Sequence, residues 1–193
     1  MYSLETEIQI NQVSFNIRNQ GDYRMVLDCF EALNDRDLSE NERLCAALII
    51  FYEDFNDIND LPDNRDELYL FVGAMFDFFN QHEDIQSNTK NIRVIDWSHD
   101  SNLIASAINN VANQEIRSLP YLHWWTFLGY YTAIGECLLS TVVSIRYKKA
   151  RGEKLEKYEK KFMQDNPQYF NIDLRTAEQK AADEYIMQLW GGS

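Results

Sequence analysis

One stretch constrains the fold more than any other. Leu119-Pro120-Tyr121-Leu122-His123-Trp124-Trp125-Thr126-Phe127 opens an apolar segment that runs on to Ile145, and two of the four tryptophans stand side by side in it. A segment this long raises the question of a membrane span. Glu136 lies near its middle, with Thr126, Thr132, Ser140, Thr141 and Ser144 spread along it. A central carboxylate is costly in lipid, and a lone span has no neighbouring helix to shield it. The segment therefore reads as a helix buried on most of its circumference by other helices. Pro120 fits its first turn, where the missing N–H costs nothing, and the apolar pattern carries it to about Lys149.

The remaining elements follow from periodicity and capping. Ile8, Ile10, Val13, Phe15 and Ile17 alternate loosely, which predicts a short hairpin or extended arm within residues 1–20. Asp22 suits the N-cap of a helix through Leu33. Ser39 with Glu42 three residues on forms a capping box for a helix to about Asp54. An acidic loop over 56–64 leads to an amphipathic helix from Arg65 to Gln81, with Leu68, Phe71, Val72, Met75 and Phe79 on its apolar face. Residues 84–93 are polar and read as a loop. Asp96 or Ser98 caps a helix carrying Leu103, Ile104, Ala107, Ile108 and Val111. Beyond Gly152, a short charged helix runs from Glu153 to Met163 and stops at Asn166-Pro167. The fold expected is mainly α: a single-domain helical bundle around the central apolar helix, spanning 1–165. An amphipathic tail segment, 166–193, follows with its helical pattern over Thr176–Trp190.

Composition limits the function. The chain has 193 residues, 45% of them hydrophobic and 13% aromatic, too apolar for a disordered protein. Its formal net charge is −13, which disfavours nucleic acid as the main partner, because phosphate neutralisation needs clustered Lys and Arg. Cys29, Cys45 and Cys137 are too few and too scattered for a disulfide framework and suit a reducing cytoplasm. Met1-Tyr2-Ser3-Leu4-Glu5 lacks the positive and apolar regions of a signal peptide.

The charge is unevenly spread. Residues 1–89 hold 19 acidic and 5 basic side chains, while 8 of the 13 basic residues that follow lie between Arg146 and Lys161. Glu153, Glu156 and Glu159 are interleaved there, so the region reads as a solvated, salt-bridged helix face. It reads alternatively as a contact surface for an acidic partner, including the acidic half of a second copy in weak self-association. Arg146, Lys148, Lys149, Arg151 and Lys154 are its candidate contact residues.

Chemistry is sparsely signalled. The seven glycines form no phosphate-binding loop. His99 in Asp96-Trp97-Ser98-His99-Asp100 matches no zinc spacing, so neither a metal nor a cofactor is expected, and no catalytic residue is assigned. His123 reads as a packed histidine with a backbone or carboxylate partner. Adjacent Trp124 and Trp125 point about 100° apart on a helix. Either both pack in the core, or Trp125, with Tyr131, lines an apolar groove for a partner helix.

The order Asp96-Trp97-x-x-Asp100-x-x-x-Ile104, Leu122-His123-Trp124-Trp125-Thr126-Phe127-Leu128, Ile145-Arg146-x-Lys148 and Lys154-Leu155 resembles the bacteriophage Gp15 family, as does Asp22-Tyr23-Arg24 near the start. Asp96, Trp97, Asp100, His123, Trp124 and Phe127 mark that resemblance as motif or core positions. It implies a phage or prophage tail-module protein similar to tail assembly chaperones. Such a protein acts in the cytoplasm of the bacterial host, is not an enzyme, and binds the tape measure protein and the tail-tube protein, without nucleic acid or membrane. The alternatives are a virion structural protein, either a connector or a tail-completion subunit, and an acidic inhibitor of a basic host protein.

Overall fold

The computed structural model describes residues 3–82 and 92–172. The part of the 84–93 loop before residue 92 and the Thr176–Trp190 segment lie outside the described residues. The fold is mainly helical, with a short N-terminal hairpin. Among the described residues, no helix is long and apolar enough to cross a membrane.

The chain gathers into two compact units. The first holds residues 3–82 and 108–133, and the second holds 92–107 and 134–172. In the first, β1 (Glu7–Ile10) and β2 (Val13–Asn16) pair antiparallel, with Ile10 opposite Val13. Asn11 and Gln12 both carry positive φ, 51° and 69°, as a two-residue turn requires to match the strand twist. Helix α1 (Tyr23–Asn34) starts where the Asp22 side chain accepts from the Arg24 N–H. In α2 (Glu40–Phe51), Ser39 and Glu42 form the expected reciprocal capping box.

Helix α2 stops at Phe51, short of Asp54. Arg18 takes the carbonyls of Ile49, Tyr52 and Phe55 at 3.1, 2.9 and 2.7 Å, and Ile17 bridges Tyr52. A long-range guanidinium thus replaces the next helical turn. Helix α3 (Arg65–Phe79) also ends two residues before the expected Gln81, with Asn80 as its cap. Phe15, Tyr52, Phe55 and Phe71 pack edge to face or tilted at 4.8–6.3 Å, a geometry that aligns ring edges with π faces. Fully buried Val26, Leu48, Phe51, Met75, Phe78 and Phe127 complete the core, each contributing about 2–3 kcal/mol relative to exposure.

The continuous helix expected from Pro120 to Lys149 is two helices. α5 spans Trp124–Thr132 and α6 spans Leu138–Ala150, after the α4 helix (Ser101–Ala112) that precedes both. Pro120 stands four residues ahead of α5, in a bend rather than in a first helical turn. The break has local causes. Gly135 weakens helix propagation, and the Ser140 hydroxyl accepts from the Cys137 N–H at 2.8 Å, starting a new helix. α5 belongs to the first unit and α6 to the second, so no single helix organises the fold.

In the second unit, Val142, Ile145 and Phe170 form a core with Leu103, Leu155, Phe162 and Met163. The Asp96 carboxylate caps the turn before α4 by accepting from Ser98 and His99 N–H. α7 is Lys157–Asp165 rather than Glu153–Met163, because Glu156 is its N-cap, with the Glu159 carboxylate accepting from the Glu156 N–H at 2.8 Å.

Candidate partner-binding site

Five consecutive apolar residues, Leu68-Tyr69-Leu70-Phe71-Val72, sit in α3. A helix presents successive residues about 100° apart, so one core-facing stripe cannot bury them all. Phe71, Val72, Met75, Phe78 and Phe79 face inward. Tyr69, Leu70 and Phe76 are left 43%, 50% and 37% exposed. Gly73, also exposed, lies among them, and a Cβ placed there would meet nothing within 4 Å. The result is an apolar strip with a shallow centre, a shape suited to close approach by another helix. Arg65 sits over the Tyr69 ring, 5.4 Å from its centroid. The expected apolar face of α3 omitted these strip residues. The signal for them was the run of five itself, wider than any single face.

Beside the same helix lies an open groove of about 770 Å³, lined by residues 3–9 together with Ala74, Asp77, His82 and Trp125. Trp125, a predicted contact residue, is half-buried here, and its indole N–H donates to the Phe78 carbonyl at 2.9 Å. Its neighbour Trp124 is fully buried and donates to the Phe79 carbonyl. The adjacent pair thus divides between core and groove wall. Tyr131 is half-buried in α5 and does not line this groove.

Behind Trp125, His123 is packed as expected. Its Nδ1 accepts from the Trp125 N–H at 3.1 Å, which leaves Nε2 to donate to the Glu5 carbonyl at 2.9 Å. Burial pushes its pKa below the usual histidine value, against the raising effect of the Glu5 carbonyl. The Glu5 carboxylate pairs with His82 at 2.8 Å. The N-terminal arm is thereby tied to α5 at one point and to the end of α3 at another.

The basic residues differ in their exposure. Arg146 is buried, 4% exposed, and its guanidinium is engaged by Asp100 and by the carbonyls of Val94 and Tyr169. It is a core residue, buried rather than presented for contact as the basic run suggests. Lys148 donates to the buried Glu159 at 2.6 Å, and Arg151 pairs with Glu153 at 2.9 Å. The first of these pairs spans eleven positions rather than one helical turn, joining α6 to α7. Lys149, Arg151 and Lys154 are exposed.

The motif residues serve the fold. Asp22 accepts from the Leu122 N–H, and Tyr23 N–H donates to the Leu122 carbonyl, each at 2.9 Å. Tyr23 stacks on Phe127 at 4.6 Å. Asp22-Tyr23-Arg24 and Leu122-His123-Trp124 are therefore two halves of one lock, and Asp100 with Arg146 form a second within the other unit. Among the described residues, no group of three or more His, Cys, Asp or Glu side chains is placed to hold a metal ion. His99 instead approaches Asp100, with its Nδ1 3.0 Å from Oδ1.

Compared with known proteins, the sequence model of the family described as Bacteriophage Gp15 protein matches residues 3–172. No curated protein and no solved structure matches the chain.

Proposed function

We propose that this chain, which belongs to the bacteriophage Gp15 family, is a tail assembly chaperone that binds the tape measure protein and assists tail-tube assembly in the host cytoplasm. The observation that carries the reading is the exposed apolar strip of α3, formed by Tyr69, Leu70, Gly73 and Phe76. Tape measure proteins are long and helical, and an apolar helical stripe needs a matching face to stay in solution before the tube closes around it. The high negative charge of this half of the chain keeps such a complex dispersed. No catalytic group enters this role, and neither does nucleic acid or a membrane.

Co-expression with the tape measure protein of the same phage tests the reading. The expected result is co-purification of the two proteins and a larger soluble fraction of the tape measure protein. Leu70→Glu with Phe76→Glu should abolish both effects while leaving the circular dichroism of the chain unchanged. Unaltered solubility of the tape measure protein overturns the proposal. So does stoichiometric presence of the chain in purified virions, which fits a structural subunit instead.

A further inference from the structure

We propose that the free edge of β1 is a docking site where an extended, Lys- or Arg-bearing segment of another protein adds as a strand. The parity of the hairpin fixes which backbone groups are available. Ile17 N–H donates to the Thr6 carbonyl at 2.8 Å, so Thr6, Ile8 and Ile10 turn their hydrogen-bonding groups toward β2, and Glu5, Glu7 and Gln9 turn theirs away. Glu5 follows that parity, because its carbonyl is taken from outside the hairpin by His123. β2 obeys it as well: the outward groups of Asn16 are taken by Asp54 and Glu53. The outer edge of β2 is thus closed at Asn16, and the edge of β1 is closed at Glu5. At Glu7 and Gln9, among the described residues, the outward N–H and C=O groups have no partner.

That stretch of edge borders the 770 Å³ groove. A chain laid along it would form ladder hydrogen bonds to Glu7 and Gln9 and set alternate side chains toward Leu4, Ile8, Ala74 and Trp125. An unpaired edge beside a groove that sets a few apolar side chains among carboxylates is the arrangement open to strand addition.

Charge selects the occupant. The groove is lined by Glu5, Glu7 and Asp77, with His82 as its one basic-type side chain, inside a half-chain with 19 acidic and 5 basic residues. A second copy pairing β1 with β1 would bring two such acidic rims together, which like-charge repulsion opposes. A strand with Lys or Arg on its solvent-facing positions meets these carboxylates instead. The inference does not depend on the tail-assembly reading, which rests on the strip of α3, and either can fail without the other.

The test uses the full chain and a fluorescent peptide that alternates lysine and valine, with a glutamate–valine peptide as control, read by fluorescence anisotropy. Gln9→Pro removes one outward N–H and blocks the edge without touching the hairpin ladder, since proline is tolerated at such edge positions. The lysine peptide should bind at least about tenfold more tightly than the control, and Gln9→Pro should weaken it by about tenfold or more. Asp77→Lys, an exposed change on α3, should narrow the difference between the two peptides. It carries the test alone if circular dichroism shows that Gln9→Pro unfolds the chain. Equal binding of both peptides overturns the proposal, as does lysine-peptide binding that neither variant weakens. No binding to the intact chain overturns it too, as does a dimer of the free chain that Gln9→Pro dissolves, since a second copy would then occupy the edge.

Discussion

Arg146 and Asp100 meet as a buried two-point pair: Nη1 donates to Oδ2 at 2.6 Å and Nη2 to Oδ1 at 2.9 Å. The guanidinium also serves the carbonyls of Val94 and Tyr169, and the carboxylate also accepts from the Asp96 N–H at 3.0 Å. Burial alone would raise the Asp100 pKa. The hydrogen bonds from Arg146, the Asp96 backbone and His99 outweigh burial and hold it below the ordinary value of 3.8. One residue thus joins α6 to the start of α4 and to the turn after α7.

Removing one partner should be far worse than its charge suggests. Arg146→Met would leave a buried carboxylate unpaired, at a cost of about 3–5 kcal/mol. Urea unfolding followed by circular dichroism measures that loss. Because the folded Asp100 pKa is depressed, its stabilising share is present above 3.8 and lost as pH falls below that value toward the folded one. The deficit of Arg146→Met should therefore shrink in acid. A deficit that is the same at neutral pH and below pH 3.8 would show that the pair is not the cause.

His123 gives a pH dependence in a different window. Its pKa is lowered from 6.5, mainly by burial, so the folded state binds fewer protons than the unfolded chain. The stability this confers is present above 6.5 and is lost as pH falls below 6.5 toward the folded value. Protonation also places a proton on Nδ1, which now accepts from the Trp125 N–H. The urea midpoint should fall between about pH 7.5 and pH 5.5. His123→Asn keeps a side-chain oxygen for the start of α5 and should flatten that slope. An unchanged slope in His123→Asn would assign it to another group.

How much of this was legible in the sequence depends on the range of the interaction. Local devices were readable: Asp22 and Ser39 with Glu42 start helices where their side chains predict. The hairpin and the core face of α3 followed from periodicity alone. Ends and breaks fixed by distant partners were not readable. Nothing near Phe51 announces that Arg18 will collect three carbonyls there. The run from Trp124 to Ile145 looked continuous because hydropathy does not register Gly135 and the Ser140 cap. Of the candidate contact residues, Trp125 lines a groove, whereas Arg146 is buried. A cation at the head of a basic run looks exposed until its buried carboxylate, 46 positions earlier, is located. Tyr69, Leu70 and Phe76 escape a one-face periodicity because α3 has apolar residues on two faces.

Gly21 is held where a side chain cannot go. Its φ is +77°, and an added Cβ would stand 2.9 Å from both His123 Nε2 and Phe78 Cζ. Gly21→Ala should cost about 1 kcal/mol from the left-handed backbone and about 1–3 kcal/mol more from overpacking. It should also disturb the Nε2–Glu5 hydrogen bond and so alter the pH slope assigned to His123. Thermal unfolding at two pH values reads both effects. A neutral substitution would mean that the entry into α1 is looser than the contact distances require.

Gly73 poses the opposite case. It sits inside α3 with open space where its Cβ would be, so nothing within the described chain demands glycine. A glycine in a helix interior costs about 1 kcal/mol relative to alanine, and Gly73→Ala should raise the thermal midpoint accordingly. If the strip of Tyr69, Leu70 and Phe76 receives a partner helix, the missing side chain has an external use: it lets the two backbones approach. Gly73→Glu would fill that space with a charged side chain while leaving the inward face untouched. It should keep the fold, by circular dichroism, and lose the tape measure protein in co-purification. Co-purification that survives Gly73→Glu would move the contact off this face of α3.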